Sequence, residues 1–400
     1  MKVLHVMKVF PFPPKDGYRS DIWDRIQSMK RLGYRIHVLV TVRRGETDEA
    51  ELKALRAVVD RADVVERAPK LSTLSTLKPT LIASNNTLAD FPLDQDYDLT
   101  LAECEHTIPI FDNPRLRTGL RVLRVHNNER KYMAELSRAD RRLSWKLFFA
   151  AESMRYGLLG DGVYRRLGLD AFWFISKEEC ENFSRRQSSL KAAPMWLPPA
   201  VTVGLRPEHG GASSKRVLFV GGLGNPLNRE GVRWYLSAVH PLLLNDPDYE
   251  FAIAGSAGGS EPAHELAQEA AAAPRCQVHL DLDDLGPMYQ SSALLINPMR
   301  QGSGVKMKTI HAIQQGLPLV TTSTGAEGSG FIDHEHIRVA DAPADFAAAV
   351  TELLNDPALR DSMAARAFRH LTAHYNSDEN IERLLNSLTG SPATARLAVG

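Results

Sequence analysis

The sequence lacks the marks of several protein classes. Its 48 Lys and Arg are matched by 48 Asp and Glu, so no net charge exists to wrap nucleic acid or to coat an acidic partner. Only three cysteines occur among 400 residues, and Cys104, Cys180 and Cys276 stand far apart. That spacing excludes a disulfide framework and a cysteine-based zinc site, and suits a reducing compartment. No apolar run approaches the roughly 18 residues that a spanning helix needs. The apolar N-terminal stretch, Val3 to Val9, breaks at Pro11 and is short for a leader, so a cytoplasmic location is expected. No Gly-x4-Gly-Lys-Ser/Thr pattern is present, which argues against a P-loop NTPase. No full Gly-x-Gly-x-x-Gly fingerprint follows the first strand, which weakens a dinucleotide oxidoreductase.

What is present is ordinary globular composition, 44% hydrophobic and 24% charged, in a chain long enough for two domains. Val3–Val9, a helical pattern through Ile22, Ile26, Met29 and Leu32, and the run Ile36–Val42 form a strand–helix–strand unit with parallel strands. Leu99–Ala102, Val122–Val125 and Phe172–Ser176 are further strand candidates, and about 131–160 reads as one long helix. The stretch around Leu197-Pro198-Pro199 and 206–214 reads as linker. The alternation then restarts at Val217–Gly222, with a helix from about Asn228 and strands at Phe251–Gly255, Val278–Leu280, Ala293–Pro298 and Leu319–Thr322. The expected architecture is α/β, with two Rossmann-like, doubly wound domains facing each other across a cleft. The boundaries fall at 1–200, 201–375 and 376–400, the last a helix and tail returning toward the N-terminal domain.

The densest chemical signal runs from Asn297 to Lys308: a strand end, the loop Gly302-Ser303-Gly304-Val305, and a helix start flanked by Arg300, Lys306 and Lys308. Glycines let backbone N–H groups approach an anion, and a helix N-terminus adds partial positive charge. One diphosphate would satisfy these groups together. Glu327 stands in a loop after a strand. In the first half, His126 follows the strand Val122–Val125, and Glu105 and His106 follow another strand end as an acid/base pair. Glu129 reads as a helix-start charge. Asp281-x-Asp283 mimics a metal motif but reads as helix capping, and His334-Glu335-His336 lacks the i,i+4 spacing of a zinc site and reads as surface loop.

Arg300-x-Gly302-Ser303-Gly304-Val305-Lys306-x-Lys308, Gly316-x-Pro318 and Thr322-x-x-Gly325-Ala326-Glu327-Gly328 resemble the sugar-nucleotide loop of GT-B glycosyltransferases of the family-4, group 1 type. The resemblance extends to Phe219-Val220-Gly221, Pro226, Asn228, Glu230-Gly231 and Ile253-Ala254-Gly255. It also takes in Pro13-Pro14-Lys15-Asp16-Gly17, Arg124–Glu129 and Tyr132, and spans about residues 1–375. It implies transfer of a hexosyl-type sugar from a nucleotide-diphosphate sugar to a glycan or lipid-linked saccharide, in surface polysaccharide synthesis, with retention favoured. Arg300 and Lys308 would hold the diphosphate, Gly302, Ser303, Gly304 and Val305 would line it, and Asp16 and Gly17 would close over the reacting centre. His126 would contact the donor sugar or acceptor, with Glu105 and His106 as spare acid and base and Glu327 at the donor. His311 stands where relatives carry a ribose-binding glutamate, and the earlier glutamate of that pair is not apparent. That departure leaves open a non-catalytic nucleotide-sugar-binding subunit or a nucleotide-sugar epimerase. No metal and no other cofactor is expected, because cationic side chains can neutralise the leaving group.

One regional imbalance stands out. Residues 115–166 carry 13 Lys and Arg against five acids, a net +8, with Trp145, Phe148 and Phe149 among them. This segment is expected to face an anionic membrane surface as a peripheral contact.

Overall fold

The computed structural model describes residues 1–14, 17–68, 73, 76–140, 142–159, 161–186, 190–201, 204, 206–207, 215–302 and 304–390. The chain divides into two compact units. One comprises Met1–Arg130, Ala151–Thr202 and Tyr375–Gly400, and the other comprises Lys131–Ala150 and Val203–His374. Residues 131–150, which precede the linker in sequence, thus group with the second unit.

The first unit carries a seven-stranded, all-parallel sheet. Its strands are β1 (Lys2–Met7), β2 (Arg35–Val42), β3 (Arg61–Glu66), β4 (Tyr97–Glu103), β5 (Thr118–Val125), β6 (Ala171–Phe174) and β7 (Ala193–Trp196), in the order β3-β2-β1-β4-β5-β6-β7. Helices cover both faces of such a sheet, so its central strands read as nearly continuous apolar runs. Val3, Met7, Val38, Val40, Leu99, Leu101, Val122 and Trp173 form the core with Ile22, Ile26 and Met29 of the helix Gly17–Arg31. Ile381, Leu384 and Leu385 of the last helix, Ser377–Thr389, enter the same core. That helix is tied down by Asp378, whose carboxylate accepts from Arg31 Nη2 at 2.8 Å.

The second unit has six parallel strands, β8 (Arg216–Val220), β9 (Glu250–Gly255), β10 (Cys276–Leu280), β11 (Leu294–Asn297), β12 (Leu319–Thr321) and β13 (Arg338–Val339), in the order β10-β9-β8-β11-β12-β13. Phe219, Phe251, Ile253, Leu294, Ile296 and Val320 pack against Tyr235, Phe346, Val350 and Leu353 from the covering helices. Both sheets reverse strand order once on the central side, between β1 and β4 and between β8 and β11. At such a switch the flanking loops diverge and leave a crevice beyond the carboxyl ends of the strands.

The expected strands are present, with ends shifted by a few residues: the first, read to Val9, stops at Met7. Three strands escape a reading of sequence pattern, β3, β7 and β13. All three are sheet edges carrying charge or proline (Pro194 in β7), and β7 and β13 are short besides, as edges that must resist further pairing are. The helix expected over 131–160 is instead two, Glu129–Ala139 and Leu143–Gly157. Asp140 ends the first by accepting from the Arg142 backbone N–H at 2.9 Å and from its guanidinium at 2.9 Å.

Candidate active site

In the second unit, β8 ends at Val220 and the chain turns through Gly221 and Gly222 into the helix Pro226–Trp234. Asn225 caps that helix by accepting from Leu227 N at 2.9 Å, and Pro226 supplies a pre-set φ at its first position. Arg229 Nη1 donates to the carbonyls of Leu223 and Gly224, both at 2.8 Å, and so fixes the loop from inside. Opposite it, β11 runs into the glycine loop. Gly302 and Gly304 have φ of +121° and +76°, backbone that side-chain-bearing residues rarely adopt, so the turn requires glycine at both. Ser303 lies outside the described residues. Val305 is half-buried.

Lys306 does not face outward, against the reading that it serves the same ligand as its neighbours. Its buried Nζ donates to the carbonyls of Gly302 at 3.0 Å and Gly304 at 2.5 Å and lies 3.5 Å from Glu327 Oε2. It clamps the loop. Burial lowers its pKa, opposed by Glu327. The helix Met307–Gln314 follows, with a lysine at the N-cap position in place of an accepting side chain. Lys308 sits in its first turn. Its Nζ donates to Asn228 Oδ1 at 2.6 Å, lies 4.6 Å from the Phe219 ring centroid, and would stand 3.1 Å from a Cβ added at Gly221. Burial, reinforced by the Lys306 charge, brings its pKa down to about 7. A half-neutralised amine against an aromatic ring and a glycine gains much from an arriving anion.

Arg300 is exposed, 5.5 Å above the Trp234 ring, with Nη1 3.6 Å from Glu230 Oε1. Burial raises the Glu230 pKa, and one of its oxygens is buried without a partner. Glu327 is held between Lys131 Nζ at 2.9 Å and Lys306. Glu135, which sequence reasoning missed, belongs to the same charge group; burial raises its pKa, opposed by Lys131 and Lys306. His311 is half-buried, one turn after Lys308. A buried polar web locks the glycine loop to the loop after β12. Asn297 Nδ2 donates to Thr309 Oγ1 at 3.0 Å, Thr309 Oγ1 donates to the Gly325 carbonyl at 2.9 Å, and Thr322 Oγ1 donates to the Met299 carbonyl.

Two discounted motifs take other places. Asp281 does not cap a helix; its carboxylate accepts from Ala257 N at 3.3 Å, and Asp284 accepts from Gly286 N at 2.8 Å at the helix start instead. His336 is not surface loop but buried, its ring centroid 4.6 Å from that of His370.

In the first unit, an ionisable network fills the carboxyl ends of β1, β4 and β5. Glu103 Oε1 accepts from Arg25 Nε at 3.1 Å and lies 2.6 Å from His5 Nε2; its Oε2 lies 2.5 Å from His126 Nε2. Asp21 binds Arg25 and Arg124, accepts from Ala200 N at 2.6 Å, and stands 3.7 Å from His126 Nδ1. Burial would raise the Glu103 pKa, but Arg25, His126 and His5 together hold it well below the usual carboxylate range. Burial lowers His126, against the pull of Glu103. His126 is thus fixed in a definite orientation, with Tyr18 packed 4.6 Å from its ring centroid. Gly17 opens the helix that carries Asp21 and Arg25; Asp16 lies outside the described residues.

Glu105 and His106 are neighbours in a second buried group beside β4. His106 Nδ1 is 2.9 Å from Lys8 Nζ and 3.1 Å from Cys104 Sγ, and its Nε2 is 3.8 Å from Glu129 Oε2. Burial, then the Lys8 charge, hold His106 well below its usual pKa. Burial, then Glu129, push Glu105 up to about 8, and burial raises Glu129 too. The two acids carry less than two charges at neutral pH, as like charges in one dry site must. His5, Asp21, Arg25 and Glu103 went unread as site residues because each sits within an apolar strand or helix, and only the sheet brings them together.

Residues 214–356 match the family model described as Glycosyl transferases group 1. A Klebsiella pneumoniae protein described as an uncharacterized 44.6 kDa protein in the cps region is 28% identical over 390 residues, 94% of this chain and 97% of that one. Among solved structures, a point mutant of S. aureus TarM with fondaparinux, alpha-GlcNAc-glycerol and UDP superposes with a TM-score of 0.69 at 11% identity, over 97% of this chain and 100% of the other. Anabaena HepE with UDP-glucose superposes with a TM-score of 0.66 at 14% identity, over 98% and 100%.

Proposed function

We propose that this chain, which has the GT-B fold, is a glycosyltransferase of the group 1 type and moves a sugar from a nucleoside-diphosphate sugar to a glycan or lipid-linked saccharide acceptor in making a surface polysaccharide. The observation that carries the donor side is Lys308. A half-buried, half-neutralised amine in the first turn of a helix, beside two positive-φ glycines, is arranged to receive a diphosphate. Arg300, exposed at the rim, would add a second positive charge, and the amides of Gly302 to Val305 would line the phosphates. The charge that develops on the leaving diphosphate would then be met by preorganised cations and a helix terminus, so transfer would need no divalent metal.

His126, oriented by Glu103 and Asp21, would present its ring to the sugar or acceptor, with Glu105 and His106 as a neighbouring acid and base. Two similar structures hold UDP and UDP-glucose, and the Klebsiella relative is a cps-region protein; these support a nucleotide-sugar donor and a capsule-type product. His311, in place of a ribose-binding glutamate, favours one second reading, a subunit that binds nucleotide sugar without turnover.

A transfer assay separates the two. Purified protein is offered a panel of nucleotide sugars with a capsule-oligosaccharide extract, and products are read by mass spectrometry. Turnover in the wild type that falls about 30- to 100-fold in Lys308→Met, the loss expected for one charge-assisted contact, supports the enzyme. Donor binding with no product of transfer or hydrolysis supports the subunit.

A further inference from the structure

The first unit has its own cations without acids. Lys8 follows β1, Arg67 follows β3, and Cys104 and His106 follow β4, all at the carboxyl edge of the sheet. That edge is where strand order reverses, between β1 and β4. Arg67 is half-buried, and part of its guanidinium is used on its own surroundings. Nε donates to Thr41 Oγ1 at 3.3 Å, and Nη2 donates to the carbonyls of Thr41 at 3.0 Å and of Lys8. Nη1 has no acceptor among the described residues, yet it is not closed off from solvent. The two fully buried arginines of this unit differ: Arg25 meets Asp21 and Glu103, and Arg124 meets Asp21. Among the described residues no carboxylate pairs with Arg67. Burial, then the Arg43 charge, lowers its pKa, as befits a cation short of a counter-charge.

Lys8 stands beside it, half-buried as well. Its Nζ donates to His106 Nδ1 at 2.9 Å and lies 5.0 Å over the Tyr18 ring. An ammonium can only donate, so Nδ1 is the accepting nitrogen of a neutral His106. That bond uses one N–H of three. Glu105 and Glu129 feel the Lys8 charge, but Glu105, with a pKa of about 8, is largely protonated at neutral pH. Arg67 and Lys8 both act on the His106 ring, which places the two charges around one point. Their spare N–H groups are what an oxyanion needs, and charge-assisted bonds of this kind are the strong ones. The carbonyls of Thr41 and Lys8 hold the guanidinium plane in advance, so little order is lost on binding.

We infer that Arg67 and Lys8 form an oxyanion site that takes a phosphate or carboxylate carried by the sugar acceptor. The acceptor is then an acidic saccharide or a sugar phosphate rather than a neutral sugar, and it is bound beside Glu105 and His106. The acceptor part rests on the transfer reading. The oxyanion site itself does not, since it needs neither donor nor turnover.

The test is calorimetric titration of the full chain carrying Lys308→Met, which removes the amine placed at the diphosphate in the second unit. The probes are glucose 1-phosphate, glucuronate, inorganic phosphate and glucose. At least one charged sugar should bind, and glucose should not. Affinity for that sugar should fall about tenfold or more when Arg67→Gln is added, the loss expected for charge-assisted bonds. Arg67 also ties two loops together, so Lys8→Gln is the second variant. The Arg67 bond to residue 8 uses the backbone carbonyl and survives that change. Lys8→Gln should weaken the same sugar about fivefold or more. Charged sugars that bind equally with and without these substitutions, or not at all, overturn the site. Inorganic phosphate bound as tightly as glucose 1-phosphate, with glucuronate not bound, would assign the site to free phosphate and overturn the acceptor part. In a transfer assay on the wild-type background, Arg67→Gln should raise the acceptor KM and leave the donor KM unchanged; the reverse overturns the acceptor part as well. A chain that binds the charged sugar through Arg67 yet transfers nothing refutes the transfer reading and leaves the oxyanion site standing.

Discussion

Lys308 makes donor binding depend on pH in a calculable way. Its amine titrates near 7 in the free protein because burial, then Lys306, disfavours the charged form. A diphosphate arriving within about 4 Å interacts with it by several kcal/mol at the effective dielectric of a protein site, which keeps the bound amine protonated well past pH 9. Binding above pH 7 must therefore take up one proton. The apparent Kd scales inversely with the protonated share, so it should weaken about fivefold from pH 7 to 8 and about tenfold from 8 to 9, while changing little below 6.5. Calorimetric titration with UDP-glucose, whose diphosphate does not titrate in this range, measures both the slope and the proton uptake when buffers of different ionisation enthalpy are compared. Lys308→Met should bind weakly with a flat profile. The unliganded protein supplies an internal check. The folded pKa lies below the unfolded value of about 10.4, so the unfolded chain binds more protons between them and stability rises with pH from about 7 to about 10. In Lys308→Met that rise should disappear, with the variant at least as stable as the wild type at pH 7. A wild-type Kd independent of pH between 7 and 9 would falsify the placement of this amine at the diphosphate.

Two further outcomes follow from the same geometry. Glu105 has a folded pKa of about 8, above its unfolded value, so its burial costs stability that accumulates as pH rises from about 4.3 to 8. Glu105→Gln should therefore raise the thermal midpoint more at pH 8 than at pH 5; an equal shift at both would remove the buried-acid reading. Transfer should persist in EDTA at the rate seen with added Mg²⁺, and a loss in EDTA that Mg²⁺ or Mn²⁺ alone restores would return Asp281 and Asp283 as candidate ligands.

Much of the architecture is legible in the amino-acid order because parallel strands buried on both faces must be apolar along their length. Val3, Leu4, Val6 and Met7, or Phe251 to Ala254, announce themselves by composition alone. The glycine loop is legible too: Gly302 and Gly304 sit where only glycine tolerates the backbone, whereas the helix read from about Asn228 starts earlier, at Pro226, with Asn225 as its cap. Such features depend on neighbours in sequence, and so does the basic character of 115–166. Tertiary structure alone decided three other things. It placed His5, Asp21, Arg25 and Glu103 around His126, because residues up to 121 positions apart meet only when β1, β4 and β5 pair. It set the work of two lysines two positions apart, folding Lys306 back onto its own loop while Lys308 reached Asn228. It also chose which face of the helix Leu143–Gly157 turned outward. Of the aromatic residues that drew attention in the sequence, Phe148 and Phe149 lie half-buried, while Trp145 meets the solvent together with Leu143, Leu147 and Met154.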